Sequence, residues 1–175
     1  MTDTISPYVI LGAGQLGLAV MDELVAQGKP ATLANRSGKV GEPLPAGVNM
    51  VQADSTDPDA VARLAKDAQV VFHCAQPSYD RWPDLFPPLT RAILDGVSRT
   101  QAKLVFGDNL YMYGPTGGQP IREDLPYAAT GVKGKTRAAM AKMLLDAHRA
   151  GQARLTIGRA SDFYSPTSTS CCPAF

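Results

Sequence analysis

Residues 8–20 read Y-V-I-L-G-A-G-Q-L-G-L-A-V, an apolar run that breaks into three glycines and then becomes apolar again. The first four residues have the length and composition of a buried strand. From Gln15 onward the apolar residues recur at helical spacing, as far as a glycine at position 28 that favours a helix end. The stretch therefore predicts a strand that turns directly into a helix through a glycine-rich loop.

The glycines of this loop follow the spacing Gly-x-Gly-x-x-Gly, at Gly12, Gly14 and Gly17. Such a loop leaves backbone N–H groups and the positive end of the helix dipole where a pyrophosphate can bind. The first glycine permits the tight turn, the second lets phosphates approach the backbone, and the third lets the helix pack closely on the strand. We expect Gln15 and Leu16 to contribute to the same cofactor site. Glycines that only turn a tight corner are the alternative interpretation.

Short apolar runs alternate with helical segments along the rest of the chain. The predicted strands are residues 8–11, 31–34, 48–51, 70–74, 103–106 and 155–157, and the predicted helices are residues 15–27, 57–66, 85–100 and 132–150. The segments 37–47 and 115–130 are rich in Gly and Pro and indicate loops. This alternation predicts an α/β fold of the Rossmann type over residues 1–166, with a doubly wound parallel sheet between two helix layers.

The tip of the second strand bears on the choice between the two nicotinamide dinucleotides. The group that meets the adenosine ribose is expected about 20 residues beyond the glycines, and here Asn35, Arg36 and Ser37 follow A-T-L-A. A carboxylate at this tip would bond the ribose of NAD and repel a 2′-phosphate, whereas Arg pairs with that phosphate and Ser adds a hydroxyl donor. We therefore predict NADP rather than NAD as the cofactor. The alternative is that Arg36 is a solvated loop residue.

Two further strand ends supply candidate cofactor contacts. Asp54 follows the third strand in V-Q-A-D and is suitably placed for the adenine amino group. An equally weighted alternative is that Asp54 caps the helix that begins near residue 57. Cys74, Ala75 and Gln76 follow the fourth strand, and the small Cys74 and Ala75 allow a cofactor to lie against the backbone.

The composition excludes several classes of protein. Seventeen basic and sixteen acidic side chains give a formal net charge of +1, which favours neither nucleic acid nor an anionic membrane as a partner. The three cysteines show neither a disulfide framework nor metal-ligand spacing, and the N-terminus lacks the features of a signal peptide. We therefore expect a cytoplasmic protein with a small-molecule substrate and no metal site.

Five stretches together resemble the short-chain dehydrogenase/reductase superfamily, in particular its extended branch of nucleotide-sugar epimerases and dehydratases. They are G-A-G-Q-L-G, Q-A-D, V-F-H-C-A, L-V-F-G-D-N-L-Y-M-Y-G-P and I-G-R-A-S-D-F-Y-S-P, in the order and at about the spacing of that family. The resemblance implies the fold, nicotinamide binding and hydride transfer. It also implies a catalytic Ser or Thr and a Tyr-x-x-x-Lys pair, in which the lysine lowers the pKa of the tyrosine so that the phenolate accepts a proton.

The Tyr-x-x-x-Lys pair is missing from this chain, because no tyrosine is followed by a lysine four residues later. Aligning Tyr113 with the Val-Tyr-Gly of the family places Asn109 at the Ser or Thr position. The apolar pattern of the last helix places Lys133 and Arg137 near the Tyr and Lys positions. We expect Lys133 or Tyr113 to supply the proton, with burial beside Lys135 and Arg137 lowering the pKa of Lys133. A solvated basic patch at the helix start is the alternative interpretation.

Other conspicuous side chains receive structural interpretations. We interpret His73 and His148 as structural rather than catalytic. Trp82 and Phe86 are expected to form an aromatic loop beside the cleft, which either packs on the domain edge or contacts the substrate.

The C-terminal stretch 167–175 has neither strand nor helix period, and we interpret it as an irregular tail. The family places much of its substrate-binding part after this point, so the sequence resembles a truncated or minimal version. Apolar surface exposed by such a truncation would favour a homo-oligomer.

Two functions compete on this evidence. The first is an NADP-dependent oxidoreductase of the epimerase/dehydratase type, acting on a carbonyl, hydroxyl or nucleotide-sugar substrate. The second is a non-catalytic NADP-binding sensor that resembles the nitrogen-metabolite-repression regulators, which keep the glycine loop and lose Tyr-x-x-x-Lys. The missing pair favours the sensor, whereas Tyr113, Asn109 and the basic cluster leave room for chemistry.

Overall fold

The computed structural model describes residues 5–161, which contain six strands and four α-helices, with a helix between consecutive strands except between the second and third. The strands are β1 (Tyr8–Leu11), β2 (Ala31–Asn35), β3 (Val48–Gln52), β4 (Val70–His73), β5 (Lys103–Asp108) and β6 (Arg154–Arg159). The helices are α1 (Gln15–Ala26), α2 (Pro58–Ala65), α3 (Trp82–Val97) and α4 (Val132–Arg149), with short 3-10 turns at Tyr79–Arg81 and Tyr111–Tyr113. The segments 37–47 and 115–130 contain neither helix nor strand, as predicted.

The strands form one sheet in the order β3-β2-β1-β4-β5-β6, and every neighbouring pair is parallel. From β1 the chain winds outward through β2 and β3, and it then crosses back to continue from β4 to β6. The direction of winding therefore reverses between β1 and β4, where open α/β sheets bind ligands at the carboxyl ends of their strands. The predicted doubly wound parallel sheet is confirmed.

Alternate residues of the central strand face two different cores. Val9 and Leu11 belong to a core that includes residues of α2, α3 and α4. Ile10, which lies between them in sequence, packs with Met21 and Leu24 of α1. All three strand residues are fully buried. Because helices cover both faces, the strand is a continuous apolar run, and the predicted three-layer arrangement is found.

Glycines end two of the helices where the sequence predicts them. Gly28 follows α1 with φ of +67°, and Gly151 follows α4 with φ of +70°. Both values lie in the left-handed region that favours glycine after a helix. The start of α2 is fixed by Asp57, whose side chain accepts a hydrogen bond from the backbone N–H of Asp59 at 2.9 Å.

The start of α3 corrects the sequence prediction. An aromatic loop is expected around Trp82 and Phe86, but α3 begins at Trp82, and the two side chains are only 4% and 1% exposed. Pro83 is accommodated in the first turn, where its N–H would have no helical partner and its fixed φ suits the helix. The proline therefore starts the helix instead of interrupting it. The predicted aromatic loop is wrong, and both rings belong to the core.

The expected domain end at residue 166 and the expected tail at 167–175 lie outside the described residues. Among residues 5–161, none of the helices combines the length and the hydropathy that a membrane span requires.

Candidate functional site

The glycine loop between β1 and α1 is a tight backbone turn. Gly12 has φ of +104°, and its N–H donates to the carbonyl oxygen of Ala34 at 2.8 Å. A Cβ atom on Gly12 would come within 2.6 Å of the Ala75 backbone, and a Cβ on Gly17 would overlap the Gly12 carbonyl oxygen. Gly12 is therefore needed for the turn, and Gly17 is needed for the close contact between α1 and the loop.

Gly14 differs from its two neighbours because its open side faces no protein atom. A Cβ atom on Gly14 would meet nothing within 4 Å among the described residues. Gly14 is also the N-cap residue of α1, where no side chain caps the helix and no acidic residue stands in the first turn. The N–H groups at this helix start and the positive end of the dipole are thus available to an anion, as a pyrophosphate requires. Gln15 is exposed beside Gly14, and the Leu16 side chain packs over Gly107 of β5.

The loop after β2 presents Arg36 at its tip. The Asn35 side chain accepts hydrogen bonds from the Gly38 N–H at 2.7 Å and the Ser37 hydroxyl at 3.0 Å, and it donates to the Lys39 carbonyl at 2.8 Å. Gln52 of β3 donates to the Arg36 carbonyl at 2.9 Å. Asn35 and Ser37 therefore shape the loop, while the Arg36 side chain is exposed.

Asp54, next to this loop, forms a turn with Thr56. One carboxylate oxygen accepts from the Thr56 N–H at 2.9 Å and from its hydroxyl at 2.8 Å. These two hydrogen bonds lower the pKa of Asp54 against a smaller opposing effect of burial, and the nearby positive charge of Arg36 lowers it further. The carboxylate is therefore ionised at neutral pH. The cap of α2 is Asp57, so the interpretation of Asp54 as that cap is wrong. Arg36 and Asp54 line one cavity beside α2.

The residues that follow β4 form the opposite wall of the glycine loop. The Cys74 N–H donates to the Leu11 carbonyl at 2.9 Å, and Ala75 lies against Gly12. Burial raises the pKa of the Cys74 thiol to about 12, which keeps it protonated and unreactive. Gln76 is exposed. The structure therefore brings the ends of β1, β2, β3 and β4 to one edge, with the predicted cofactor residues along it.

Tyr113, the first candidate for the proton-carrying group, is almost completely buried. It is 3% exposed, and its hydroxyl accepts a hydrogen bond from Nη1 of Arg159 at 2.8 Å. Burial raises the pKa of Tyr113, and the nearby Arg159 only partly opposes that shift. Nη2 of the same arginine donates to the Tyr127 hydroxyl at 2.6 Å. Arg159 thus joins β6 to the turn that precedes the loop 115–130 and to Tyr127 within that loop.

The other two candidates differ in their environments. Asn109 is buried and accepts from the Tyr111 N–H at 3.1 Å, which shapes the turn after β5. Lys133 is half-buried, and its Nζ lies 2.9 Å from the centroid of the Tyr79 ring. Lys135 is exposed, whereas Arg137 is buried. The helix period therefore separates the three cations, and the joint burial expected to act on Lys133 is not found.

A buried ion pair that sequence reasoning missed lies behind these residues. Asp108 at the end of β5 is fully buried, and Nη1 of Arg137 lies 3.1 Å from its Oδ1. The Arg137 guanidinium stacks 4.2 Å from the Trp82 ring centroid and 4.5 Å from that of Phe86. Burial raises the pKa of Asp108, while Arg137 and Arg159 oppose the shift. The available signal was the Asp that ends the apolar run L-V-F-G-D, because such a buried carboxylate needs a cationic partner.

Both histidines have structural surroundings. His73 is buried with Nε2 3.1 Å from the Thr90 hydroxyl, and burial together with Arg137 lowers its pKa to about 3. Nδ1 of His148 lies 3.0 Å from the Ala153 carbonyl oxygen at the end of α4. Within residues 5–161 no group of His, Cys, Asp and Glu side chains is arranged to hold a metal ion.

Known proteins share this architecture. A crystal structure of UDP-galactose 4-epimerase superposes with a TM-score of 0.74 at 25% identity, covering 87% of this chain and 55% of that one. A putative NAD-dependent epimerase/dehydratase from Methylobacillus flagellatus is 27% identical with a TM-score of 0.69, covering 93% and 56%. The UDP-glucose 4-epimerase from Brucella ovis, solved with NAD, has a TM-score of 0.75 at 21% identity, covering 89% and 51%. The chain thus spans about half the length of these structures.

Comparison of the sequence with family models identifies one family for this chain. No curated protein matches the chain. The model of the NAD dependent epimerase/dehydratase family matches residues 8–174, which is nearly the whole chain. The match supports a nicotinamide dinucleotide as the cofactor, in agreement with the glycine loop. The chain belongs to the NAD dependent epimerase/dehydratase family.

Proposed function

We propose that this protein binds NADP at the carboxyl edge of its sheet, with the pyrophosphate on the glycine loop. The observation that carries the proposal is the space beside Gly14, at the start of a helix whose first turn has neither a capping side chain nor an acidic residue. Gly12 and Gly17 have contacts that would exclude a side chain, whereas Gly14 has none. Together with the Gly-x-Gly-x-x-Gly spacing, this open side supports a phosphate that approaches the backbone at Gly14.

Arg36 supports NADP over NAD. The hydrogen bonds of Asn35 and Ser37 hold the loop after β2 in place and leave the Arg36 side chain exposed at the tip. A guanidinium there binds a 2′-phosphate bidentately, while NAD offers only hydroxyl groups at that position. Asp54 stands beside Arg36 as a carboxylate and accepts hydrogen bonds, which suits the adenine amino group.

We propose oxidoreductase chemistry of the epimerase/dehydratase type, on a carbonyl, hydroxyl or nucleotide-sugar substrate. The bound nicotinamide supplies or accepts hydride in such chemistry. Of the two proton-carrying candidates, Lys133 is half-buried and Tyr113 is buried under Arg159. Lys133 is therefore the residue that donates or accepts the proton at its Nζ. Asn109 contributes by shaping the turn between β5 and α4.

A second candidate function, the non-catalytic NADP-binding sensor, has its own structural support. Arg137 stands near the lysine position of the missing Tyr-x-x-x-Lys motif, but its guanidinium binds Asp108 and stacks on Trp82. A side chain held in this way does not reach a ligand. The sensor function requires only the glycine loop and the Arg36 tip, which are unaffected by this burial.

A fluorescence titration with NADPH and NADH tests cofactor binding and its specificity. We expect tighter binding of NADPH, with the preference lost in Arg36→Ala because the 2′-phosphate loses its partner. Lys39→Ala removes an exposed cation of the same loop and is the matched control, expected to retain the preference. Equal affinities for both nucleotides in the unmodified protein would contradict the NADP assignment.

Turnover separates the oxidoreductase from the sensor. NADPH oxidation is followed against a panel of aldehydes, ketones and sugar nucleotides, beside Lys133→Ala and Tyr113→Phe. Turnover that Lys133→Ala abolishes supports the proton role of Lys133. Binding of NADPH without turnover on any substrate favours the sensor, and turnover that survives both substitutions removes both residues from the mechanism.

Self-association is a further part of the proposal. Leu85, Ile121 and Val132 are large apolar side chains that are 42%, 42% and 64% exposed in the described structure. Contact between copies of the chain would remove such surface from water. Sedimentation at increasing concentration is expected to show association, and a monomer at all concentrations would contradict it.

A further inference from the structure

Lys133 is held by an aromatic ring in place of a carboxylate. Its Nζ lies 2.9 Å from the centroid of Tyr79, and no acidic side chain of the described residues forms an ion pair with it. The first turn of α4 also contains no acidic residue, and the helix dipole disfavours a cation at this end. The electron-rich face of the Tyr79 ring therefore stabilises the ammonium group.

The Tyr79 ring is itself fixed by its neighbours. It packs edge to face on Trp82 of α3 with the ring centroids 4.9 Å apart. The guanidinium of Arg137, on α4, lies over the same Trp82 ring. Lys133 and Arg137 are one helical turn apart, where like charges repel each other. Lys133 contacts the Tyr79 ring and Arg137 contacts the Trp82 ring, so the two rings and two cations form one stack. This stack gives the Lys133 nitrogen a defined position.

The backbone places this stack on the segments that follow β4 and β5, at the carboxyl edge of the sheet. A Cβ atom on Gly134 would come within 2.6 Å of the Tyr111 carbonyl oxygen, so the first turn of α4 lies against the turn that follows β5. Tyr79 belongs to the segment that follows β4, three residues after Gln76. The contact between Lys133 and Tyr79 therefore crosses from the β5 side of the carboxyl edge to the β4 side.

We propose that Tyr79 is a positioning residue, whose ring holds the Lys133 ammonium beside the segment 74–76 at the cofactor cleft. The inference rests on the proposed function, in which Lys133 carries the proton. An aromatic face fixes the nitrogen without tying its proton into an ion pair. The N–H groups of the nitrogen thus remain available to a ligand.

Acylation of lysine amino groups, measured residue by residue by mass spectrometry, tests this role without depending on turnover. A limiting acylating reagent is applied to the unmodified protein, Tyr79→Phe and Tyr79→Leu, each with and without saturating NADPH. Tyr79→Phe keeps the ring face, whereas Tyr79→Leu removes it. Lys135 is exposed two residues later on the same helix and serves as the internal control.

We expect Tyr79→Leu to raise the acylation rate of Lys133 by roughly three- to thirtyfold, because the ammonium loses its partner. Tyr79→Phe should react like the unmodified protein, and the rate at Lys135 should be constant throughout. NADPH should protect Lys133 in the unmodified protein and Tyr79→Phe, and protect it less in Tyr79→Leu. In a substrate assay, Tyr79→Leu should lower kcat more than it changes KM.

Three results would overturn the inference: equal Lys133 rates in all three proteins, a Tyr79→Phe rate that matches Tyr79→Leu, or no protection by NADPH that fluorescence shows to be bound. Failure of the proposed function looks different. In that case fluorescence shows no NADPH binding to the unmodified protein, while the contrast between the Phe and Leu variants still reports whether Tyr79 holds Lys133.

Discussion

The two halves of the carboxyl edge are built in opposite ways. At the β1 half, Gly14 meets no protein atom and the start of α1 has no capping side chain. At the β5 half, Asp108 and Arg137 are buried and bound to each other, and Arg159 joins Tyr113 to the loop 115–130. The β1 half, the open half, exposes backbone at a helix start, while the β5 half, the closed half, buries charged side chains against each other. The proposed nucleotide site lies in the open half, and the candidate proton carriers Tyr113 and Lys133 lie on the side of the closed half.

Disruption of the buried Asp108–Arg137 ion pair in the closed half should have the strongest effect on stability. Arg137→Met keeps a flexible apolar chain against Trp82 but leaves Asp108 buried without its nearest partner. We expect the free energy of unfolding to fall by about 3–5 kcal/mol, because an uncompensated buried charge is costly. Urea denaturation measures the change. Asp108→Asn combined with Arg137→Met should be more stable than Arg137→Met alone.

The exposed pair of Lys142 and Asp146 on the same helix provides the control for this prediction. Lys142→Ala should leave the unfolding midpoint almost unchanged, since exposed ion pairs contribute little. Equal losses in Lys142→Ala and Arg137→Met would mean that burial of the Asp108 pair does not set its importance.

The second prediction is a dependence of stability on pH, which we attribute to the buried His73 at the end of β4. The pKa of His73 is lowered from 6.5 to about 3, so the unfolded chain binds a proton between these values that the folded chain does not bind. This contribution to stability is complete above the unfolded pKa and is lost as pH falls, by about 1.4 kcal/mol per pH unit below pH 6. Urea denaturation from about pH 7.5 to pH 5 should show the slope.

His148 supplies the control, because the chain has only two histidines. His73→Gln should remove most of the slope above about pH 5, where carboxylates contribute less. His148→Gln should retain it. A slope that persists in His73→Gln would show that other groups cause it.

Gly14 and Gly17 of the open half differ in the space available to a side chain, and alanine substitutions at both test that difference. Gly17→Ala places a methyl group on the Gly12 carbonyl oxygen and should lower the free energy of unfolding by about 1–3 kcal/mol. Gly14→Ala adds the same methyl group in open space and should cost less, about 1 kcal/mol or below, because only the N-cap preference for glycine over alanine is lost. Thermal denaturation of both variants measures the difference. Similar losses in both would contradict the open geometry at Gly14.

The smallest effect concerns the hydroxyl groups that Arg159 holds. Tyr127→Phe removes one acceptor but keeps the ring, which lies 5.7 Å from the Tyr113 ring. We expect a loss of about 1–2 kcal/mol of unfolding free energy, because the bond involves a charged donor in a half-buried setting. Hydrogen exchange should speed up most in the loop 115–130. No change in exchange there would show that Arg159 does not order the loop.

The fold and the open half were largely predictable from the sequence, whereas the closed half was not. The glycine spacing and apolar runs depend on local geometry, so strand positions and the turn at Gly12 follow from neighbouring residues. The Asp108 pair joins residues 29 positions apart, and the Lys133 contact with Tyr79 also bridges distant segments. Such pairings depend on how helices pack, which no local pattern encodes. The error at Trp82 has a local cause, because Pro83 can either start a helix or signal a loop.

The decisive experiment is a fluorescence titration with NADPH of the unmodified protein and Gly14→Ala. We expect saturable binding that Gly14→Ala weakens by roughly tenfold or more, because the methyl group occupies the space of the phosphates. The variant should remain folded at the temperature of the titration, so that the loss is one of binding. Absence of NADPH binding to the unmodified protein, or equal binding by both proteins, would contradict the claim that the open half is a working nucleotide site.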